Sequence, residues 1–211
     1  MNEVKVGIIG IGNMGYAHLQ TVTAGNIPDM TVTAVCDIDT KKLNAARNTY
    51  PALRVFEDYT DLLKNSDTNA VIIAVPHPLH AKIAIEAFKY GKHVLVEKPL
   101  DITVSAAEDL CAAAEKSGKV FAIMFNQRTN GLFRKAREIV KSGELGKIKR
   151  SVWIITNWYR TQSYYDSSKW RATWAGEGGG VLLNQAPHNL DIWQWICGKP
   201  SAVTAFCSVG K

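Results

Sequence analysis

Between Val4 and Phe125, short apolar runs alternate with mixed stretches whose apolar residues recur at helical spacing. The runs Val4–Ile9, Met30–Cys36, Arg54–Phe56, Ala70–Val75, His93–Val96 and Val120–Phe125 read as strands. Helices are expected at Tyr16–Ala24, Asp39–Arg47, Asp58–Asn65, Leu79–Tyr90 and Thr103–Lys116. In the fourth helix Ile83, Ala84, Ala87 and Phe88 share one face. The Ala70–Val75 run is apolar almost throughout, as a strand covered on both faces requires. About six strand and helix alternations at short spacing predict right-handed βαβ units and a doubly wound parallel sheet. The pattern changes near Asn126. A basic helix, Leu132–Lys141, precedes a strand with alternating large residues, Ile148–Trp158. Tyr159–Trp174 shows no period and is expected to be a loop. A helix spans Val181–Cys197, starting properly near Pro187, and a last strand covers Ala202–Val209. The expected domains are 1–124, α/β, and 125–211, a partial α+β region.

The first strand runs into Gly10-Ile11-Gly12-Asn13-Met14-Gly15, a G-x-G-x-x-G turn opening a helix. Gly10 permits the tight turn, Gly12 lets the backbone approach a pyrophosphate, and Gly15 lets helix and strand pack closely. The diphosphate then sits on N–H groups at a helix N-terminus. The second strand ends at Asp37, near the offset at which an acidic residue meets the adenosine ribose 2′-hydroxyl. A carboxylate there accepts from the hydroxyl and repels a 2′-phosphate, which favours NAD. Lys41 and Lys42 keep NADP open, and a helix cap is the other use for Asp37.

Composition narrows this picture. The 211 residues are 46% hydrophobic and 21% charged, ordinary globular material. Net charge is +6, but the basic residues are dispersed and match no nucleic-acid motif, so a solvated basic surface is expected. Cys36, Cys111, Cys197 and Cys207 lack C-x-x-C spacing and read as free thiols in a reducing compartment, the cytoplasm. No apolar run is long enough to span a bilayer, and no Cys/His set has zinc spacing.

Two polar constellations carry chemistry. Lys98 follows a buried strand within Glu97-Lys98-Pro99, and ligands of open α/β sheets bind beyond the carboxyl ends of the strands. A partly desolvated lysine beside a nicotinamide can hold a substrate oxygen and pass its proton; a surface lysine paired with Glu97 is the alternative. Within Asn184-Gln185-Ala186-Pro187-His188-Asn189-Leu190-Asp191, His188 is suited to removing a hydroxyl proton as hydride leaves the adjacent carbon. A histidine satisfied in a polar interface is the alternative there. His77 and His80 flank the fourth strand, as crevice lining or as caps.

The glycine motif, Val71–Pro76 with His80, Gly91–Pro99, and Gly178–Gly180 through Asn184 to His188 and Asp191 together resemble the glucose-fructose oxidoreductase/inositol dehydrogenase/MocA family over essentially the whole chain. The resemblance implies an N-terminal Rossmann domain and a C-terminal domain on a mostly antiparallel sheet. It implies NAD(P)-dependent oxidation or reduction of a carbinol carbon in a sugar, inositol or related polyol. It also places Gly10, Gly12, Asn13, Met14, Gly15, Asp37, Pro76, His80, Glu97 and Lys98 at the cofactor. Lys98 and His188 act on the substrate, with Asn184, where the family motif has aspartate, as a hydrogen-bonding positioner. It further implies that Arg160, Trp170 and Arg171, in the aromatic and basic tract, line the sugar site; a packed loop is the alternative. No metal, nucleic acid or membrane is implied, and a homodimer or homotetramer is expected. Family members are longer, so the chain reads as a fragment or a truncated product. Two other readings fit: an NAD-dependent glycoside-cleaving enzyme, and a non-catalytic regulator that senses sugar or dinucleotide.

Overall fold

A computed structural model describes residues 3–156, 159–206 and 208. Packing divides the chain into two units: residues up to Met124 together with Arg160–Asn184, and Phe125–Tyr159 together with the chain from Gln185 onward. The expected single break at 124/125 thus becomes a shared boundary, because residues 160–184 pack with the first unit.

The first unit holds β1 (Val4–Ile9), α1 (Asn13–Thr23), β2 (Met30–Cys36), α2 (Thr40–Thr49), β3 (Arg54–Phe56), α3 (Tyr59–Asn65), β4 (Ala70–Ile73), α4 (His80–Lys89), β5 (His93–Val96), α5 (Val104–Ser117) and β6 (Phe121–Ile123). All six strands are parallel, in the order β3-β2-β1-β4-β5-β6. That is the Rossmann order, and the crossover between β3 and β4 puts the switch point beside β1. Side-chain alternation splits each central strand between two cores. Val6 and Ile8 of β1 join Leu19, Val35, Leu43 and Ile72 on one face. Ile9 joins Leu62, Val71, Ile73, Ile83 and Leu110 on the other. Burying such side chains contributes about 1.5–3 kcal/mol each. The helices start where the chain offers caps. Asp39, Asp58 and Thr103 accept backbone N–H bonds at the N-termini of α2, α3 and α5.

After β6 the chain enters the second unit and forms the basic helix α6 (Gly131–Lys141). The expected loop Tyr159–Trp174, back in the first unit from Arg160, contains a short helix, α7 (Gln162–Asp166), capped by Thr161. Two further short helices follow, α8 (Trp174–Glu177) and α9 (Val181–Asn184). The expected helix Val181–Cys197 is interrupted after Asn184. It resumes as α10 (Pro187–Cys197), whose first turn takes the proline that an interior turn would reject.

In the second unit α6 is capped by the Asn130 side chain and packs on α10. The Arg137 guanidinium lies 4.5 Å from the Trp195 ring and donates to the Trp195 carbonyl at 3.2 Å. The expected strands Ile148–Trp158 and Ala202–Val209 are not formed among the described residues. Asn157, Trp158, Cys207 and Val209 lie outside those residues. The alternating large side chains are present, but a strand exists only through a ladder partner, and no described segment of this unit supplies one. The expected antiparallel sheet is likewise not found among the described residues.

Candidate active site

The glycine turn divides its work between packing and access. Gly10 has φ +87°, and a Cβ there would lie 2.6 Å from the Ala74 carbonyl oxygen. At Gly15 a Cβ would lie 1.8 Å from the carbonyl oxygen of Gly10, so only glycine lets α1 sit this close to the turn. Gly12 is different: a Cβ there meets nothing within 4 Å. The space over Gly12, at an N-terminus that no side chain caps, fits a diphosphate. Asn13 and Met14 form the first turn beyond it. Asp37 is buried, and its carboxylate accepts from the Ile11 and Asp39 N–H groups at 2.9 Å each. Lys42 approaches it at 3.5 Å. The cap of α2 is Asp39, so Asp37 instead ties the end of β2 to the glycine turn.

Lys98 follows β5 and precedes a cis peptide bond to Pro99. Its Nζ donates to the Asn184 backbone oxygen at 2.7 Å and to Asn184 Oδ1 at 3.3 Å. Burial pushes the Lys98 ammonium below the usual lysine range; Glu97 and Glu177 oppose that shift, whereas Arg171 and Arg160 add to it. Glu97 does not take Lys98 as an ion-pair partner. One of its oxygens meets His18 Nε2 of α1 at 2.7 Å, and the other accepts the Lys98 N–H at 3.3 Å. The surface ion pair considered from sequence is therefore replaced by a partly buried contact between α1 and the end of β5.

Near Lys98 stands Glu177, which sequence reasoning passed over, together with residues it had named. Glu177, buried at 3% exposure, accepts a hydrogen bond from the Asn184 side-chain amide. Its backbone carbonyl faces His77 Nδ1 at 3.2 Å. Burial pushes the His77 pKa down to about 4, so this imidazole is neutral near pH 7 and donates to that carbonyl. The His77 ring meets Trp170 edge-on, 5.0 Å between centroids. Arg171 donates to the Tyr164 hydroxyl at 2.6 Å, and its guanidinium lies 4.2 Å from the Tyr164 ring and 4.7 Å from the Trp170 ring. Arg160 lies 5.1 Å from the Tyr164 ring. The only sequence signal for Glu177 was its place as the single charge in a glycine run, Gly176–Gly180.

His80 is buried, with Nδ1 2.6 Å from the Pro99 oxygen and Nε2 2.8 Å from the Val75 oxygen. It clamps the backbone beside Pro76 to the backbone after Lys98. His188 is the second residue of α10, in the other unit. Its ring meets Phe125 edge-on at 6.1 Å and borders a cavity of about 180 Å³ with Gln127, Trp153 and Asn189. One turn on, Asp191 receives Arg128 through two nitrogens. The structure thus brings Lys98, Asn184, Trp170 and Arg171 into one unit and places His188 in the other.

Residues 4–125 match the family described as "Oxidoreductase family, NAD-binding Rossmann fold", and residues 133–211 match the GFO/IDH/MocA C-terminal domain. The chain belongs to the Gfo/Idh/MocA oxidoreductase family. Like others of that family, it carries an NAD-binding Rossmann domain. The inositol 2-dehydrogenase of Rubrobacter xylanophilus is 30% identical over 92% of this chain and 52% of its own length. The WlbA dehydrogenase of Bordetella pertussis, crystallised with NADH and UDP-GlcNAcA, superposes with TM-score 0.85 at 27% identity, covering 93% of this chain and 56% of its own. The scyllo-inositol dehydrogenase of Lactobacillus casei, crystallised with NAD(H) and scyllo-inositol, gives TM-score 0.77 at 25% identity, covering 93% and 57%. The chain spans about half the length of the relatives it matches. No described helix is long and apolar enough to cross a membrane.

Proposed function

We infer that the protein to which this chain corresponds is an NAD(P)-dependent dehydrogenase acting on a carbinol carbon of a sugar, inositol or related polyol. The observation that carries this reading is the partly desolvated Lys98 ammonium, held by both oxygens of Asn184 at the carboxyl end of β5. The dinucleotide, when bound, supplies the hydride acceptor or donor. Gly12, Asn13 and Met14 would hold its diphosphate, and Asp37 its adenosine ribose, with NAD preferred. In this reading Lys98 binds the substrate oxygen with the one N–H donor left after two go to Asn184. His188 takes the hydroxyl proton as the carbon is oxidised, and Asn184 positions Lys98. Trp170, Arg160 and Arg171 face the hydroxylated substrate. The expected assembly, a homodimer or homotetramer, is read by sedimentation.

Full-length protein is incubated with NAD or NADP and a panel of inositols, hexoses and UDP-sugars, with nicotinamide absorbance followed. Turnover with at least one polyol is expected, and Lys98→Met lowers it by about 10²–10⁴-fold, the usual share of a proton-transferring group. No turnover across the panel with either cofactor overturns the reading.

A further inference from the structure

The assignment above leaves one charged group beside Lys98 without a task. Glu177 is buried in a four-residue helix, and its carboxylate accepts from the Asn184 side-chain NH₂. The same amide presents Oδ1 to Lys98 Nζ at 3.3 Å. An ammonium only donates and a carboxylate only accepts. An amide between them satisfies both in one orientation, nitrogen toward Glu177 and oxygen toward Lys98. Turned over, it would set NH₂ against an ammonium and a carbonyl against a carboxylate, two repulsive contacts in a buried place.

Arg171 also faces Glu177. That contact is 3.9 Å, beyond hydrogen-bond reach, while Arg171 donates to Tyr164 at 2.6 Å. Asn184 is thus the group seen to donate a hydrogen bond to this carboxylate. The placement also separates charge from charge. A carboxylate directly on Lys98 would hold its proton in a short charge-assisted bond. With an amide between them, the anion favours the ammonium electrostatically and leaves the Nζ protons to a neutral oxygen.

We propose that Glu177 is a positioning residue of this site: its carboxylate locks the Asn184 amide with its oxygen toward Lys98 and holds the lysine protonated from one group away. Its effect on turnover rests on the dehydrogenase reading above. Its effect on Lys98 does not.

The test reads Lys98 directly. Full-length protein without cofactor is labelled with an amine-reactive reagent across a pH series, and Lys98 modification is quantified by peptide mass spectrometry. Glu177→Gln lowers the midpoint for Lys98 by about one pH unit, the size expected when a nearby opposite charge is removed. Glu177→Gln combined with Asn184→Asp puts the carboxylate directly on the ammonium and raises the midpoint above wild type. An unchanged midpoint in folded Glu177→Gln overturns the proposal. If that variant does not fold, the double variant decides alone, and a midpoint at or below wild type overturns it. In turnover, Glu177→Gln moves the pH profile of kcat by the same amount and leaves KM for NAD unchanged. A wild-type protein that turns over no polyol sinks the dehydrogenase reading, while the Lys98 midpoint still decides for or against Glu177.

Discussion

The two units treat similar side chains in opposite ways. Ile73 of β4 is 0% exposed, between helices and neighbouring strands, whereas Ile154 and Val203 of the second unit are 78% and 81% exposed. The difference is not one of local sequence, since both units contain β-branched and aromatic runs with strand propensity. It lies in pairing. Each strand of the first unit has a parallel neighbour, and its helices cover both faces. The described part of the second unit is instead held by two helices, by arginines over Trp195, and by the Arg128–Asp191 pair. Propensity makes a strand eligible, and a ladder partner makes it real.

Truncating both kinds of side chain in the 211-residue chain and measuring urea unfolding separates the two units by the widest margin. Ile73→Ala is expected to cost about 2–5 kcal/mol, the range for a large buried aliphatic residue. Ile154→Ala should stay within about 0.5 kcal/mol, as exposed substitutions do. Comparable losses at the two positions would show that the second unit has a core of its own.

A buried polar group of the first unit gives the next largest effect. The His77 pKa is about 4 in the folded protein, against an ordinary value of 6.5. Between these values the unfolded chain binds the extra proton, so stability is fully present above pH 6.5 and falls as pH drops toward 4. The loss amounts to at most roughly 3–4 kcal/mol, because a tenfold difference in proton affinity between the folded and unfolded chain is worth about 1.4 kcal/mol. His80 adds to the same slope, because burial lowers its pKa too. His77→Phe keeps the ring beside Trp170 and removes one titration, so its unfolding free energy should fall less steeply between pH 6.5 and 4. Parallel curves for wild type and variant would contradict the burial argument.

The same contrast explains how much could be read in advance. The six strands and their helices were legible because period and punctuation are local, and because partners of each strand lie within the run Val4–Phe125. The parallel sheet followed from alternation alone. Pro187 marked where α10 begins, since its ring is tolerated only in a first turn. The union of residues 160–184 with the first unit was not legible. It depends on contacts such as Lys98 with Asn184 and His77 with Glu177, 86 and 100 positions apart, and no local pattern reports them. Asp37 and Asp39 show the limit at shorter range. Two aspartates stand two residues apart, either fits a cap, and only geometry assigns the cap to Asp39 and the glycine turn to Asp37.

The smallest expected effect tests what holds the second unit. Arg128 donates to Asp191 through Nε at 2.8 Å and through Nη2 to the other oxygen, a two-point pairing, with the arginine side chain nearly half exposed. Donating to the Asp191 carboxylate raises the Arg128 pKa further above its already high ordinary value. Exposed pairs contribute about 0.2–1 kcal/mol, and two-point geometry puts this one near the top of that range. Arg128 also lies over the Phe125 and Trp195 rings, at 5.6 and 5.8 Å, and salt screens that attraction less than it screens the exposed ion pair. Arg128→Ala should therefore cost about 1 kcal/mol in low salt and a smaller amount in roughly 1 M salt, where the ion-pair part is screened. Arg128→Lys, which keeps the charge but not the fork, should recover less than half. If the salt dependence is absent, ring packing and not charge is what Arg128 contributes.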